Sequence, residues 1–212
     1  MKNLRLTSIL FLILLISTSF KFSDEWKKVY NKNGLLIYTR TTENGLKEFK
    51  AISILAAKVG EITAVFKDWE THPDWMPSMV KTELVEQANT KTRYLYYVLN
   101  FPWPLWDRDL VTKSNFTKGQ DGSVKMSVWA TSAKKSKKKD MIRIEEATGY
   151  WKFVPQKDGT TKVIYQYRAD PVGIPTRIVN AFLLEGPKGS FEGLKKHVKL
   201  PKYSNATLDW LD

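Results

Sequence analysis

His72 and His197 are the only imidazoles in the 212 residues, and the chain has no cysteine. Any general base, metal centre or nucleophilic relay would have to be built around those two rings. His72 precedes Pro73 in a segment that reads as a loop, and His197 lies among Lys195, Lys196 and Lys199 on a polar helix face. Neither is expected to act as a buried base. The missing cysteines exclude a disulfide framework, a thiolate zinc site, an iron–sulfur cluster and a thiol nucleophile. No Ser-His-Asp arrangement, zinc-ligand spacing or glycine-rich phosphate loop is present. Neither a metal nor a cofactor is expected.

The other residues with chemical potential are aromatic and cationic. Eight Trp, nine Tyr and ten Phe supply large apolar surfaces with polar edges, the kind of side chain that lines apolar pockets. Lysines at 134, 135, 137, 138 and 139 form the sharpest charge feature of a chain whose formal charge is +12. Such a run suits an anionic bilayer, where each Lys or Arg contributes about 1 kcal/mol, or is simply a solvated loop. Arg108-Asp109 reads either as an ion pair in a pocket or as a structural link tying the Pro102–Pro104 turn to its strand, and the structural link is the expected role.

The elements that must position these residues begin after the first nineteen. Lys2 and Arg5, the apolar run 9–16 and the small polar residues Ser17, Thr18 and Ser19 follow the order of a secretory signal. Cleavage after Ser19 is expected, which lowers the charge from +12 to +10 and leaves 20–212 as one domain in the periplasm or outside the cell. An uncleaved anchor is the rival reading, although the apolar stretch is short for a span. Export makes nucleic acid the least suitable partner, and no base-reading helix or aromatic ribonucleoprotein signature is present.

Within the domain, Ser23 and Asp24 look like the cap of a short helix over 26–30, ended by Asn33-Gly34. Strands are predicted over 35–40 and 47–55, joined by the turn Glu43-Asn44-Gly45. Ile62, Val65, Phe66 and Trp69 recur at helical spacing, and this helix should stop before His72-Pro73. Further strands are predicted over 81–86, 92–101, 108–117, 123–131, 141–155 and 161–169, with Asp121-Gly122 and Asp158-Gly159 as hairpin turns. In 92–101 apolar residues occupy both parities. Residues 175–199 read as a helix carrying Ile178, Phe182, Phe191, Leu194 and Val198 on one stripe, kinked or split by Gly186-Pro187. The order implies an α+β domain in which an antiparallel sheet coils around a long helix.

The segments 34–40, Trp75, 102–111 (PWPLWDRDLV), 149–155 (GYWKFVP), 170–175 (DPVGIP) and Asn180 together resemble the START (StAR-related lipid transfer) domains of the helix-grip superfamily. The likeness runs from about Trp26 to Val198 and points to a bacterial-type exported, single-domain member. It implies a curved antiparallel sheet wrapped around a long C-terminal helix, with an internal hydrophobic cavity filled by one lipid and gated by a loop and that helix. Cavity residues are then sought at Tyr94, Tyr96 and Val98 on one strand face, at Trp129, at Val163, Tyr165 and Tyr167, and at Ile178 and Phe182. Each could equally be plain core. Arg143 matches an arginine common in the family, able to meet a polar lipid head or to face solvent. The acid and arginine of the sterol carriers fall at Leu95 and Ser114, which counts against a sterol. The lysine run falls at the tunnel mouth, near Lys188, Lys195, Lys196 and Lys199. A monomer that binds a lipid and docks on an anionic membrane is expected, rather than an enzyme. Helix-grip relatives do include cyclases and hydrolases, so an enzyme on a hydrophobic substrate is the alternative. A third class is an envelope interaction protein without a ligand.

Overall fold

The computed structural model describes residues 25–211, so the signal segment expected over 1–19 lies outside the described residues. The chain opens with two strands, β1 (Lys27–Lys32) and β2 (Leu35–Thr41). The helix expected over 26–30 is therefore an edge strand. Asn33 and Gly34 both take positive φ (53° and 69°), the two-residue hairpin geometry, and return the chain antiparallel onto itself.

After β3 (Lys47–Leu55) come α1 (Val59–Lys67), a 3₁₀ turn (Trp69–Thr71) and α2 (His72–Trp75). His72-Pro73 thus starts a short helix instead of stopping one, because proline is tolerated in a first turn whose N–H groups have no helical partner. β4 (Met79–Gln87), β5 (Thr92–Leu99), β6 (Arg108–Lys118) and β7 (Val124–Thr131) form the predicted meander. The strand expected over 141–155 is broken into β8 (Ile142–Arg143), which pairs parallel with β6, and β9 (Ala147–Pro155). β10 (Thr161–Ala169) closes a ten-stranded sheet of order β1-β2-β3-β10-β9-β7-β6-β5-β4.

The terminal helix is split, as its proline requires, but one turn ahead of that proline. α3 (Thr176–Phe182) and α4 (Glu185–His197) meet at Leu183-Leu184. Pro187 offers no N–H to the Leu183 carbonyl four residues back, and its ring crowds that oxygen. The apolar stripe divides with the helix. Phe191 and Leu194 of α4 and Val198 just after it are buried, whereas Ile178 and Phe182 of α3 are exposed.

α4 lies across one face of the sheet and packs Phe191 and Leu194 with Phe66, Trp75, Trp151, Phe153 and Val163. Its contact with α2 is close: a Cβ on Gly193 would sit 2.1 Å from the Trp75 carbonyl oxygen, so only glycine permits the approach. Among the described residues no helix is long and apolar enough to cross a membrane.

Candidate functional site

Strand register separates an inner face, turned toward α4, from an outer face. Phe116 of β6 belongs to the core under α4, so Ser114, Thr112 and Leu110 on the same parity also point inward. Their partners on β5 are Arg93, Leu95 and Tyr97. The same rule puts Val128 of β7, Trp151 of β9, Val163, Tyr165 and Tyr167 of β10, and Phe49 of β3 on the inner face.

Tyr94, Tyr96 and Val98, expected in the cavity, therefore stand on the outer face, opposite Lys113, Val111 and Asp109. Alternation could not decide between the two faces because both are covered: α4 and α1 lie over one, the segment after β7 over the other. Trp129 also points outward, across from Lys113 and Thr148, and is 43% exposed.

The inner face is aromatic, with polar atoms left over. Tyr165 stacks on Trp151 at 3.8 Å between ring centroids and meets Phe49 edge-on at 4.9 Å. Burial raises the pKa of the Tyr165 and Tyr167 hydroxyls, so both stay neutral. Both rings nevertheless keep part of their surface uncovered, as does Val128, and neither hydroxyl finds a hydrogen-bond partner among the described residues. Arg93 Nε and Ser114 Oγ are buried and have no partner among the described residues.

At the α1 end, Arg93 Nη1 donates to the Lys67 carbonyl at 2.6 Å and Nη2 to the Phe66 carbonyl. A guanidinium is thereby placed on the negative end of α1. His72, expected in a loop, is 1% exposed. Its Nε2 lies 3.2 Å from the Phe66 carbonyl and so must carry the proton, which leaves Nδ1 to accept from the Tyr97 hydroxyl at 3.3 Å. Burial, reinforced by Arg93, lowers the His72 pKa to about 3, and burial pushes the Tyr97 hydroxyl up to about 12. The ring is a neutral strut with both nitrogens in use. His197 is half-buried and pairs with the Tyr203 hydroxyl at 3.1 Å.

The outer face of β5 and β6 holds a closed polar network. Asp109 is fully buried and takes two bonds from Arg143, Nε at 2.8 Å and Nη2 at 2.9 Å, plus one from the Tyr96 hydroxyl at 3.0 Å. Burial alone would raise the Asp109 pKa, but the bonds from Arg143 and Tyr96 outweigh it and lower it. Arg143 Nη1 and Nη2 also donate to the Lys135 and Ser136 carbonyls, both at 3.1 Å. Arg143 thus fastens the lysine loop to the outer face and does not reach the interior.

Within that loop Lys134 pairs with Glu86 at 2.7 Å, Lys135 with Glu83 at 2.5 Å and Lys137 with Glu145 at 2.8 Å. Lys138 and Lys139 are exposed, without a carboxylate partner among the described residues. Arg108 and Asp109 do not pair with each other. Arg108 holds the Trp106, Pro171 and Val172 carbonyls, the last two at 3.0 Å, and so links the proline-rich turn to the strand as expected.

The sheet opens where β7 and β9 part. A cleft of about 270 Å³ there is walled by inner-face residues (Ala130, Ala147, Ala169), by Leu46 and Asn44 of the β2–β3 turn, and by Trp129, Glu146 and Arg168. Beside it, Asn180 of α3 accepts from the Lys47 N–H at 3.0 Å and donates to the Gly45 carbonyl at 3.2 Å. Among the described residues these are the side-chain hydrogen bonds from α3 to the rim, and α3 fully buries none of its own residues.

A curved antiparallel sheet gripping a C-terminal helix, with an aromatic inner face and a cleft at one end, defines a helix-grip protein. Residues 20–207 match the START domain, and the chain belongs to that family. A STAR-related lipid transfer protein from Xanthomonas axonopodis superposes with a TM-score of 0.78 at 30% identity, over 83% of this chain and 99% of that one. Human STARD10 gives 0.72 at 20% identity, over 84% of this chain and 75% of its own. An uncharacterised protein of Pseudomonas aeruginosa is 26% identical over 175 residues, 82% of this chain and 86% of its own. The family and fold support binding of a lipid or similar hydrophobic ligand.

Sequence reasoning missed Arg93 and Tyr97, and it placed His72 in a loop. The signal for Arg93 was a basic residue at the head of an otherwise apolar strand, directly opposite a serine.

Proposed function

We propose that the protein holds one lipid-like molecule between the inner face of the sheet and the helices α3 and α4, and exchanges it with an anionic membrane as a non-enzymatic carrier. The observation that carries this is the inner face itself: Tyr165, Tyr167 and Val128 lie beneath α4 yet keep uncovered surface, and two tyrosine hydroxyls there have no partner. An apolar ligand with a polar end would cover that surface. The engagement of both His72 nitrogens favours a carrier over an enzyme, because no free base faces the interior from that ring. The N-terminal sequence supports a periplasmic or secreted site of action.

For docking, three of the five loop lysines are already matched by glutamates. Lys138 and Lys139 remain, and their loop leads into Ile142, whose N–H bonds the Asp107 carbonyl at 3.0 Å, beside Trp106. Trp103 is 93% exposed and Trp106 60%, and Arg108 ties their loop to Val172 ahead of α3, whose Phe182 is 68% exposed. Tryptophans favour the bilayer interface and lysines its anionic charge.

Native mass spectrometry of the mature protein from its own membrane compartment, followed by organic extraction, should yield a stoichiometric apolar molecule. Protein that is empty and refuses fatty acids, phospholipids and sterols would overturn the carrier reading. In vesicle flotation, Trp103→Ala with Trp106→Ala should weaken binding to anionic and neutral vesicles alike, and Lys138→Gln with Lys139→Gln to anionic ones only. Unchanged flotation in both double variants would overturn the docking edge.

A further inference from the structure

Arg93 is a buried cation, 4% exposed, with no carboxylate in ion-pair range among the described residues. The acid whose charge reaches it, Asp68, is already bonded to Lys202 Nζ at 2.6 Å and to the Tyr203 hydroxyl at 2.8 Å. Two of the three guanidinium nitrogens serve the C-terminal carbonyls of α1. The third, Nε, has no partner, and neither does the hydroxyl of Ser114 in register across the strand pair. Buried polar groups are nearly always satisfied, and each one left open costs about 1–3 kcal/mol, more when charged. Two adjacent open donors, one of them cationic, fit an acceptor-only group of negative charge. Val128, directly opposite Ser114 on β7, is one of the inner residues with uncovered surface.

We infer that the ligand is an acidic amphiphile, in its simplest form a long-chain carboxylic acid, whose carboxylate accepts from Arg93 Nε and Ser114 Oγ. This rests on the lipid-binding reading above. Its chain would cover the uncovered parts of Val128, Tyr165 and Tyr167 on the inner face. Inward-facing Leu95 and the neutral His72 bring no negative charge to oppose the head group. Arginine stays protonated at any working pH, so the site does not switch off.

The test uses delipidated protein and three probes of one chain length: palmitic acid, hexadecanol and methyl palmitate. The wild type should bind the acid about tenfold or more tighter than either neutral probe, as a charge-assisted pair of hydrogen bonds provides. Ser114→Ala should shrink that preference about threefold, and Arg93→Gln should erase it, bringing the acid down to the affinity of the neutral probes. Equal affinity of the wild type for acid and alcohol would overturn the inference and leave the carrier reading intact. Failure of all three probes would overturn the inference, and the extraction experiment above decides the carrier reading separately. Should Arg93→Gln fail to fold for want of its bonds to α1, the wild-type series and Ser114→Ala still decide.

Discussion

The two faces of the β5–β6 strand pair carry similar residues to different ends. Outside, Asp109, Arg143 and Tyr96 satisfy one another and fasten a loop. Inside, Arg93 and Ser114 keep donors in hand. A closed polar network rigidifies what it touches, whereas an open one is incomplete without a further molecule. The difference separates a structural arginine from a recognition arginine, although the two are equally buried and equally charged. It also reverses the expectation that Arg143 and Tyr96 would serve the ligand.

The comparison breaks most visibly on the outer face. Asp109→Ala strands the Arg143 guanidinium in the interior and should cost about 3–5 kcal/mol, read as a lowered denaturant midpoint. Asp109→Asn combined with Arg143→Met should recover part of that loss. A cost below about 1 kcal/mol would mean the outer network is not the closed unit described.

The next effect comes from His72. Its folded pKa of about 3 lies below the ordinary value of 6.5, so between those pH values the unfolded chain binds a proton that the folded ring refuses. Stability from this ring is complete above about pH 6.5 and falls by up to ~1.4 kcal/mol for each unit of acidification through the window. His72→Gln should flatten that slope in stability measured against pH. An unchanged slope would show that the imidazole titrates freely.

The smallest effect sharpens the contrast. Ser114→Ala removes a buried hydroxyl that bonds nothing in the ligand-free protein, so it should leave stability unchanged or raise it, by up to about 1 kcal/mol. If the same substitution costs more than 1 kcal/mol without ligand, Ser114 has a structural partner and the inner face is closed like the outer one.

Most of the strand order was legible because turns speak plainly: Asn44-Gly45, Asp121-Gly122 and Asp158-Gly159 each put glycine at positive φ between alternating strands. The proline in the last helix announced its break. What could not be read was facing. Thr92–Leu99 is apolar on both parities, so period-two logic had nothing to choose between, and the covering elements come from far along the chain. Residues 27–30 carry helix-compatible side chains but pair with β2 across the Asn33-Gly34 hairpin, and that cross-strand pairing overrides local propensity. His72 looked exposed because His-Pro commonly marks a turn, while its burial depends on Tyr97 and Phe66. The lysine run showed its charge but not the glutamates on β4 and after β8 that neutralise three of its members.

The break imposed by Pro187 has an energetic meaning. Because the Leu183 carbonyl receives no helical bond from that proline, α3 and α4 are not one cooperative helix. α4 is locked to the core through Phe191, Leu194 and the close pass of Gly193, while α3 contributes no buried side chain and hangs on Asn180. Seven residues can then leave the rim in a local opening that forfeits a few hydrogen bonds and little apolar burial, with the global fold untouched. The weakest cooperative unit of the domain therefore lies at the rim of the cleft, and its opening and the stability of the protein can be tuned by separate substitutions.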